Sequence, residues 1–205
     1  TRLQSAEIAY ILFDSGARFL FVDEVLYPQV AALEIAALEI VHIADTGQDD
    51  DPYEQFLAAA SPDPLPRLVD DEETPISMNY TSGTTGQPKG AELRHRNMRD
   101  NALSGEALFG ASAENPDTYL CVLPLFHSFG QTVIQNGGFA YGGTVVMLPR
   151  FEAEPALGLM LKEQVTFFAG VPTMYWGLLG ALTPEVDVET LAKNLRVAAA
   201  GGSAL

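Results

Sequence analysis

Tyr80-Thr81-Ser82-Gly83-Thr84-Thr85-Gly86-Gln87-Pro88-Lys89-Gly90 is the stretch on which the reading of this chain turns. Its eleven residues hold three glycines, four serine or threonine hydroxyls, one proline and one lysine. Glycine lets a backbone take φ > 0 and approach a ligand closely. Successive peptide N–H groups in such a turn make a concave anion site. The hydroxyls add donors, Lys89 adds a mobile positive charge, and Pro88 stiffens the far side. The composition is that of a loop that grips phosphate. The spacing Gly83-x-x-Gly86-x-x-Lys89 is not that of a Walker loop, and no G-x-G-x-x-G fingerprint occurs here. A flexible Gly/Ser/Thr linker has a similar composition, but it has no need of Pro88-Lys89 at a fixed offset.

Working outward, residues 76–80 read as a strand entering the loop. Leu93 lies in its exit, and residues 95–108 read as a helix. Strand, loop and helix in that order would set an anion against free backbone N–H groups. Upstream, Ser5 suits the cap of a helix through Ala6, Ile8, Ala9, Ile11 and Leu12, ended by Gly16. Residues 18–22 and 41–43 suit strands, and 53–60 a short helix. Residues 31–35 repeat as 36–40, a helix-compatible low-complexity run and not a repeat architecture. Downstream, strands at 118–123, 144–148, 166–169 and 195–199 alternate with helices at 129–140, 155–162, 173–182 and near 188–192. The alternation implies an α/β chain with parallel sheets under helical cover, its strand order left open.

The chain has 205 residues, enough for one sizeable α/β domain, and its 47% apolar content fits a globular protein. A single cysteine, Cys121, excludes a disulfide framework and any multi-cysteine metal site, and His42 and His95 show no metal-ligand spacing. A reducing cytoplasm is the expected compartment, and no charged-then-apolar leader opens the sequence. The net charge of −16 argues against nucleic acid and anionic membrane as partners. Residues 44–73 carry ten acidic side chains against Arg67 alone. With four prolines, they suggest an exposed acidic connector closing a leading segment, 1–73, ahead of a second segment, 74–205. Lys89, Arg94, Arg96 and Arg99 cluster just after the glycine loop, either beside a polyanion or as an ordinary solvated basic face. No charged residue occurs at 118–149 or 164–184. Their prolines, polar residues and glycine pairs suit buried strands and sandwiched helices better than membrane spans, and leave room for an apolar ligand.

Further motifs follow the loop in sequence: Pro124-Leu125-Phe126-His127, Gly170-Val171-Pro172-Thr173 and Gly201-Gly202-Ser203-Ala204-Leu205. Their identity and order resemble the adenylate-forming, or AMP-binding, enzymes over the whole chain, with a flavour closest to bacterial fatty-acyl-CoA ligases. The resemblance implies part of the large N-terminal domain of an acyl-CoA synthetase-like fold, with parallel sheets flanked by helices in a layered sandwich. It implies ATP-dependent activation of a fatty acid to acyl-adenylate and transfer to coenzyme A, with ATP, Mg²⁺ and CoA taking part. A fatty-acid substrate would bring transient contact with membrane surfaces.

By that resemblance, Ser82, Gly83, Thr84, Thr85, Gly86 and Lys89 hold the β- and γ-phosphates, and Thr81 lies near Mg²⁺. Gly201, Gly202 and Ser203 cradle adenine, where the bland alternative is a strand-ending turn. His127, the candidate catalytic residue, lies between nucleotide and acyl sites. A lone His in an apolar run is more often structural, but the Pro-Leu-Phe-His context favours the substrate site. Phe126, Gly170, Val171, Pro172 and Thr173 line the acyl channel. Phe129, Phe168, Tyr175 and Trp176 either join that wall or are plain core.

The chain departs from the family in lacking its downstream tyrosine-glycine-threonine-glutamate motif, ribose-binding aspartate, hinge and mobile C-terminal domain with the catalytic lysine. The expectation is an excised core, inefficient alone, whose missing C-terminal domain is a partner. Two other readings stay open: an adenylating enzyme that loads a carrier protein, and a non-catalytic nucleotide-binding module.

Overall fold

The computed structural model describes residues 3–66, 69–81 and 86–202, and these form two compact units, Thr1–Arg94 and His95–Leu205. The first unit contains helix α1 (Ser5–Asp14), strand β1 (Phe19–Asp23), a 3₁₀ turn at Tyr27–Gln29 and strand β2 (Glu39–Ile43). Helix α2 (Pro52–Ala58) and strands β3 (Pro75–Thr81) and β4 (Lys89–Arg94) complete it. β1 and β2 pair in parallel from Phe19 opposite Glu39 to Asp23 opposite Ile43.

Four expectations are corrected in this unit. Gln4, not Ser5, caps α1. The Gln4 N–H donates to the Glu7 carboxylate at 2.8 Å, which frees the Ser5 hydroxyl to donate to the Gln29 carbonyl at 2.7 Å. The five-residue repeat forms turns running into β2, with Ala37 at φ 62°. A period of five matches neither 3.6 nor 2, so the repeat never holds one apolar face. The glycine loop is followed by a strand, not a helix. Residues 89–94 return along β3 as an antiparallel partner, and the helix then begins at His95 as expected. The acidic connector is not wholly solvated either. Asp51 is buried and caps α2, accepting from the backbone of Ala44, Thr46 and Tyr53.

The second unit holds α3 (His95–Leu103), α4 (Gly105–Phe109), β5 (Thr118–Cys121), a π-helix (Phe129–Asn136) and α5 (Gly137–Ala140). These are followed by β6 (Thr144–Met147), α6 (Ala153–Lys162), β7 (Phe167–Gly170), α7 (Pro172–Gly180), α8 (Val188–Asn194) and β8 (Val197–Ala200). The helix expected over 95–108 divides at Ser104-Gly105, two weak helix formers. The Ser104 hydroxyl bonds the Asn101 carbonyl at 2.6 Å.

The four strands form one parallel sheet ordered β6-β5-β7-β8. α3, the π-helix and α5 pack together, as do α6 with α7 and α8. Right-handed crossovers place these two groups on opposite faces of the sheet. β5 and β7 are therefore covered on both sides, and Leu120, Phe168 and Ala169 are fully buried. That is why these strands carry no charge. Phe168 is thus core and not channel wall. Among the described residues no helix is long and apolar enough to cross a membrane.

The amino edge of this sheet is tied by one polar cluster. Asp117, just before β5, is buried and accepts from Thr166 Oγ1 at 2.7 Å and Arg196 Nε at 3.1 Å. Thr166 precedes β7 and Arg196 precedes β8, so a single carboxylate gathers three strand starts. Removing one partner of a buried ion pair costs about 3–5 kcal/mol. Because the Arg196 side chain is 41% exposed and can rehydrate, Asp117→Ala should cost less, about 2–3 kcal/mol. Urea unfolding of the two chains measures it.

Candidate functional site

β3 and β4 set the geometry of the glycine loop. Their register puts Thr81 directly opposite Lys89 and Tyr80 opposite Gly90. Directly opposed residues project to the same face, so the Thr81 hydroxyl and the Lys89 ammonium share the last rung before the loop. Both residues are exposed, whereas Pro88 is buried. Gly86 takes φ 145°, a conformation that disfavours any residue with a Cβ. Ser82, Gly83, Thr84 and Thr85, the centre of the expected phosphate grip, lie outside the described residues.

Two contacts hold this hairpin in register. The Tyr80 hydroxyl donates to Asp14 at the end of α1 at 2.6 Å, and this bond to a carboxylate pushes the Tyr80 pKa up to about 12. Met78 and Tyr80 both lie against Gly90, where an added Cβ would stand 2.7 Å from the Met78 sulfur and 3.0 Å from the Tyr80 ring. The basic cluster divides between β4 and α3. Arg94 pairs with Glu73 at 2.8 Å and Arg99 with Asp100 at 2.7 Å, as an ordinary solvated basic surface would. Lys89 has no ion-pair partner among the described residues.

In the second unit the strand order creates the site. From β5 the chain passes to β6 on one side, then crosses back to β7 on the other. The crevice beyond the carboxyl ends of β5 and β7 is therefore a topological switch point, where open parallel sheets bind ligands. Phe126 and His127 follow β5, Gly170–Thr173 closes β7 and opens α7, and Gly201 and Gly202 follow β8. All three segments meet at this edge. Gly201 N–H donates to the Gly170 carbonyl at 3.2 Å. A Cβ on Gly201 would stand 3.2 Å from the Phe129 ring, and one on Gly202 3.4 Å from Val171. Gly202 takes φ 83°, which glycine adopts freely. Ser203 lies outside the described residues.

His127 is exposed, and its Nδ1 accepts the Phe129 N–H at 3.1 Å. In the neutral ring this leaves the proton on Nε2. In that tautomer the ring can donate from Nε2 and keeps no ring nitrogen free to take a proton. Phe126 is 90% exposed beside it. Tyr175 is structural, because its hydroxyl lies between the carbonyls of Phe168 at 3.1 Å and Ala199 at 2.7 Å, tying the ends of β7 and β8. Burial pushes its pKa up to about 12. Trp176 faces outward and is 67% exposed.

Sequence reading missed Gly130. A Cβ there would run into the Pro124 carbonyl oxygen, with the Pro124 carbonyl carbon 2.9 Å away and the Leu123 oxygen 3.0 Å away. Only glycine lets the π-helix start so close beneath the turn that presents His127. The signal was a glycine three residues after the histidine, at the start of an expected helix. Among the described residues no group of three or more His, Cys, Asp or Glu could hold a metal. Thr81 could therefore supply only one of the oxygens that Mg²⁺ requires.

A family model described as AMP-binding enzyme matches residues 1–205. The long-chain-fatty-acid–CoA ligase of Bacillus subtilis (strain 168) is 35% identical over 111 residues, covering 54% of this chain and 20% of that protein. The peroxisomal trans-cinnamate:CoA ligase of Petunia hybrida is 34% identical over 209 residues, covering 90% of this chain and 36% of that protein. The crystal structure of ATP-bound MatB from Rhodopseudomonas palustris superposes with a TM-score of 0.83 at 26% identity, over 99% of this chain and 39% of that one. The chain thus spans between a fifth and two fifths of the length of these relatives.

Proposed function

Because the chain belongs to the AMP-binding enzyme family, we propose that the protein carrying it condenses a carboxylic acid with ATP and passes the acyl group to coenzyme A. The observation that carries this reading is the meeting of the segments after β5, β7 and β8 around one switch point, with His127 exposed beside it. In the first step a carboxylate oxygen attacks the α-phosphorus, the bond to the β-phosphate oxygen breaks, and pyrophosphate leaves with its electron pair. In the second the CoA thiol, losing its proton, displaces AMP from the acyl carbon. Both reactants of the first step are anions, so the protein's task is to position them and offset charge.

Lys89 and the loop that follows Thr81 would meet the departing phosphates. Mg²⁺ there would offset phosphate charge, with the phosphates and water completing its ligands around Thr81. His127 Nε2–H would hold a carboxylate or acyl-phosphate oxygen. Gly201 and Gly202 would lie against the flat face of adenine.

For the acid we propose a fatty acid. The exposed Phe126 and the similarity to a long-chain-fatty-acid–CoA ligase support it. Similarity to a trans-cinnamate:CoA ligase favours a second reading, an aromatic acid beside Phe126 and Phe129. Hydroxylamine trapping of acyl-adenylate in an intact parent, run over saturated fatty acids and cinnamic-type acids, separates them. Hydroxamate from octanoate or longer acids at rates tenfold above cinnamate is the expected result. The reverse order overturns the fatty-acid reading, and no pyrophosphate release with any acid overturns the reaction.

A further inference from the structure

A cavity of about 80 Å³ lies in the second unit away from the carboxyl edge, between α3, α4, the π-helix and β5. Its apolar walls include Ala102, Leu108, Phe109 and Val133, and Asn101, Ser104, Thr132 and Tyr119 add polar atoms. Tyr119 is 3% exposed, and its ring packs 4.5 Å from that of Phe167. A buried tyrosine hydroxyl normally finds a partner. That of Tyr119 has none among the described residues. No fully sealed polar side-chain atom among those residues lacks a partner, so the Tyr119 oxygen keeps contact with open space, and the cavity is one space that this residue lines.

The other hydroxyl protons are already committed. Ser104 donates to the Asn101 carbonyl and Thr132 to the Ser128 carbonyl. Tyr119 is therefore the free hydroxyl donor of this pocket. No charged residue lines it, so an ion there would lose its hydration with nothing in return. A dry apolar cavity of about 150 Å³ admits benzene, so 80 Å³ suits roughly three to five heavy atoms.

We propose that this cavity binds a small neutral group, apolar except for one hydrogen-bond acceptor that takes the Tyr119 proton. A ketone or alcohol of acetone size fits that description, either as a free molecule or as the far end of a longer one. The inference stands on the cavity and on Tyr119, not on the chemistry proposed for the carboxyl edge.

The test is an NMR titration of this 205-residue chain with acetone and with isobutene, the same shape without the oxygen. Acetone should shift the Ala102, Thr132, Val133 and Gly137 signals saturably. Tyr119→Phe keeps the ring, and should weaken acetone about fivefold while leaving isobutene unchanged. Val133→Leu, which narrows the space, should weaken both probes. Competition by 7-oxooctanoate would make the far end of an acid the natural source, and its absence would make the ligand free-standing. Absence of saturable acetone shifts, as for a cavity holding water only, overturns the proposal. So does a Tyr119→Phe chain that loses both probes alike or neither.

Discussion

Gly130→Ala is expected to lower the stability of the chain by about 3 kcal/mol and its melting temperature by about 6–12 °C. The methyl group would enter space held by main chain, the carbonyl of Pro124 and the oxygen of Leu123. A flexible side chain could swing aside, but these are backbone atoms only two and three residues beyond the end of β5, where movement pulls on the sheet centre. The strain has one outlet, displacement of the turn over residues 124–129. That turn holds the His127 ring through the Phe129 N–H. The variant should therefore also lose the fixed tautomer of His127, visible as a changed Nδ1 shift in nitrogen-resolved NMR. Gly158→Ala is the control, because a Cβ there meets nothing within 4 Å and the residue lies inside α6. It should be neutral or slightly stabilising. Equal behaviour of the two variants would show that the turn is not wedged under Gly130.

The contrast between these two glycines shows where sequence reading succeeds. The parallel sheet was legible because β5, β6, β7 and β8 are short uncharged runs separated by helices of ordinary amphipathic length, and periodicity reports that directly. The register of the glycine loop was not. Residues 89–94 hold two glycine or alanine positions and three charged ones, too weak a pattern to announce a strand, and pairing with β3 decides the matter. Strand order is likewise silent in local pattern, although it alone makes the β5–β7 crevice a switch point. Phe126, His127, Gly170 and Gly201 were legible as motif members. Gly130 and the cluster around Asp117 act through contacts with residues distant in sequence or with backbone, which no composition or spacing displays. The aromatic residues divide the same way. Phe168 and Trp176 look alike in sequence, yet one is sealed in the sheet and the other faces outward.

Lys89→Ala is expected to weaken binding of ATP·Mg²⁺ to this chain by about 10–100-fold in isothermal titration, with no change in melting temperature. The separation of the two readouts follows from the hairpin. Its register is held by Tyr80 on Asp14 and by the close packing over Gly90, and Lys89 takes part in neither. Its side chain is exposed and without an ion-pair partner among the described residues, so truncation removes charge and little else. At about 4 Å from a phosphate charge, an ammonium gains roughly 4 kcal/mol at an effective dielectric of 20. Lost hydration of the lysine reduces this to about 1.4–2.8 kcal/mol, the range of the stated loss. Salt should shrink the difference between the two chains, because screening reaches an exposed pair. In an intact parent the same substitution should slow acyl-adenylate synthesis about 100-fold, since charge on the leaving pyrophosphate grows toward the transition state. Thr81→Ala, on the same rung but uncharged, should cost less than Lys89→Ala in both assays. Unchanged ATP affinity in Lys89→Ala would overturn the assignment of this hairpin to phosphate binding.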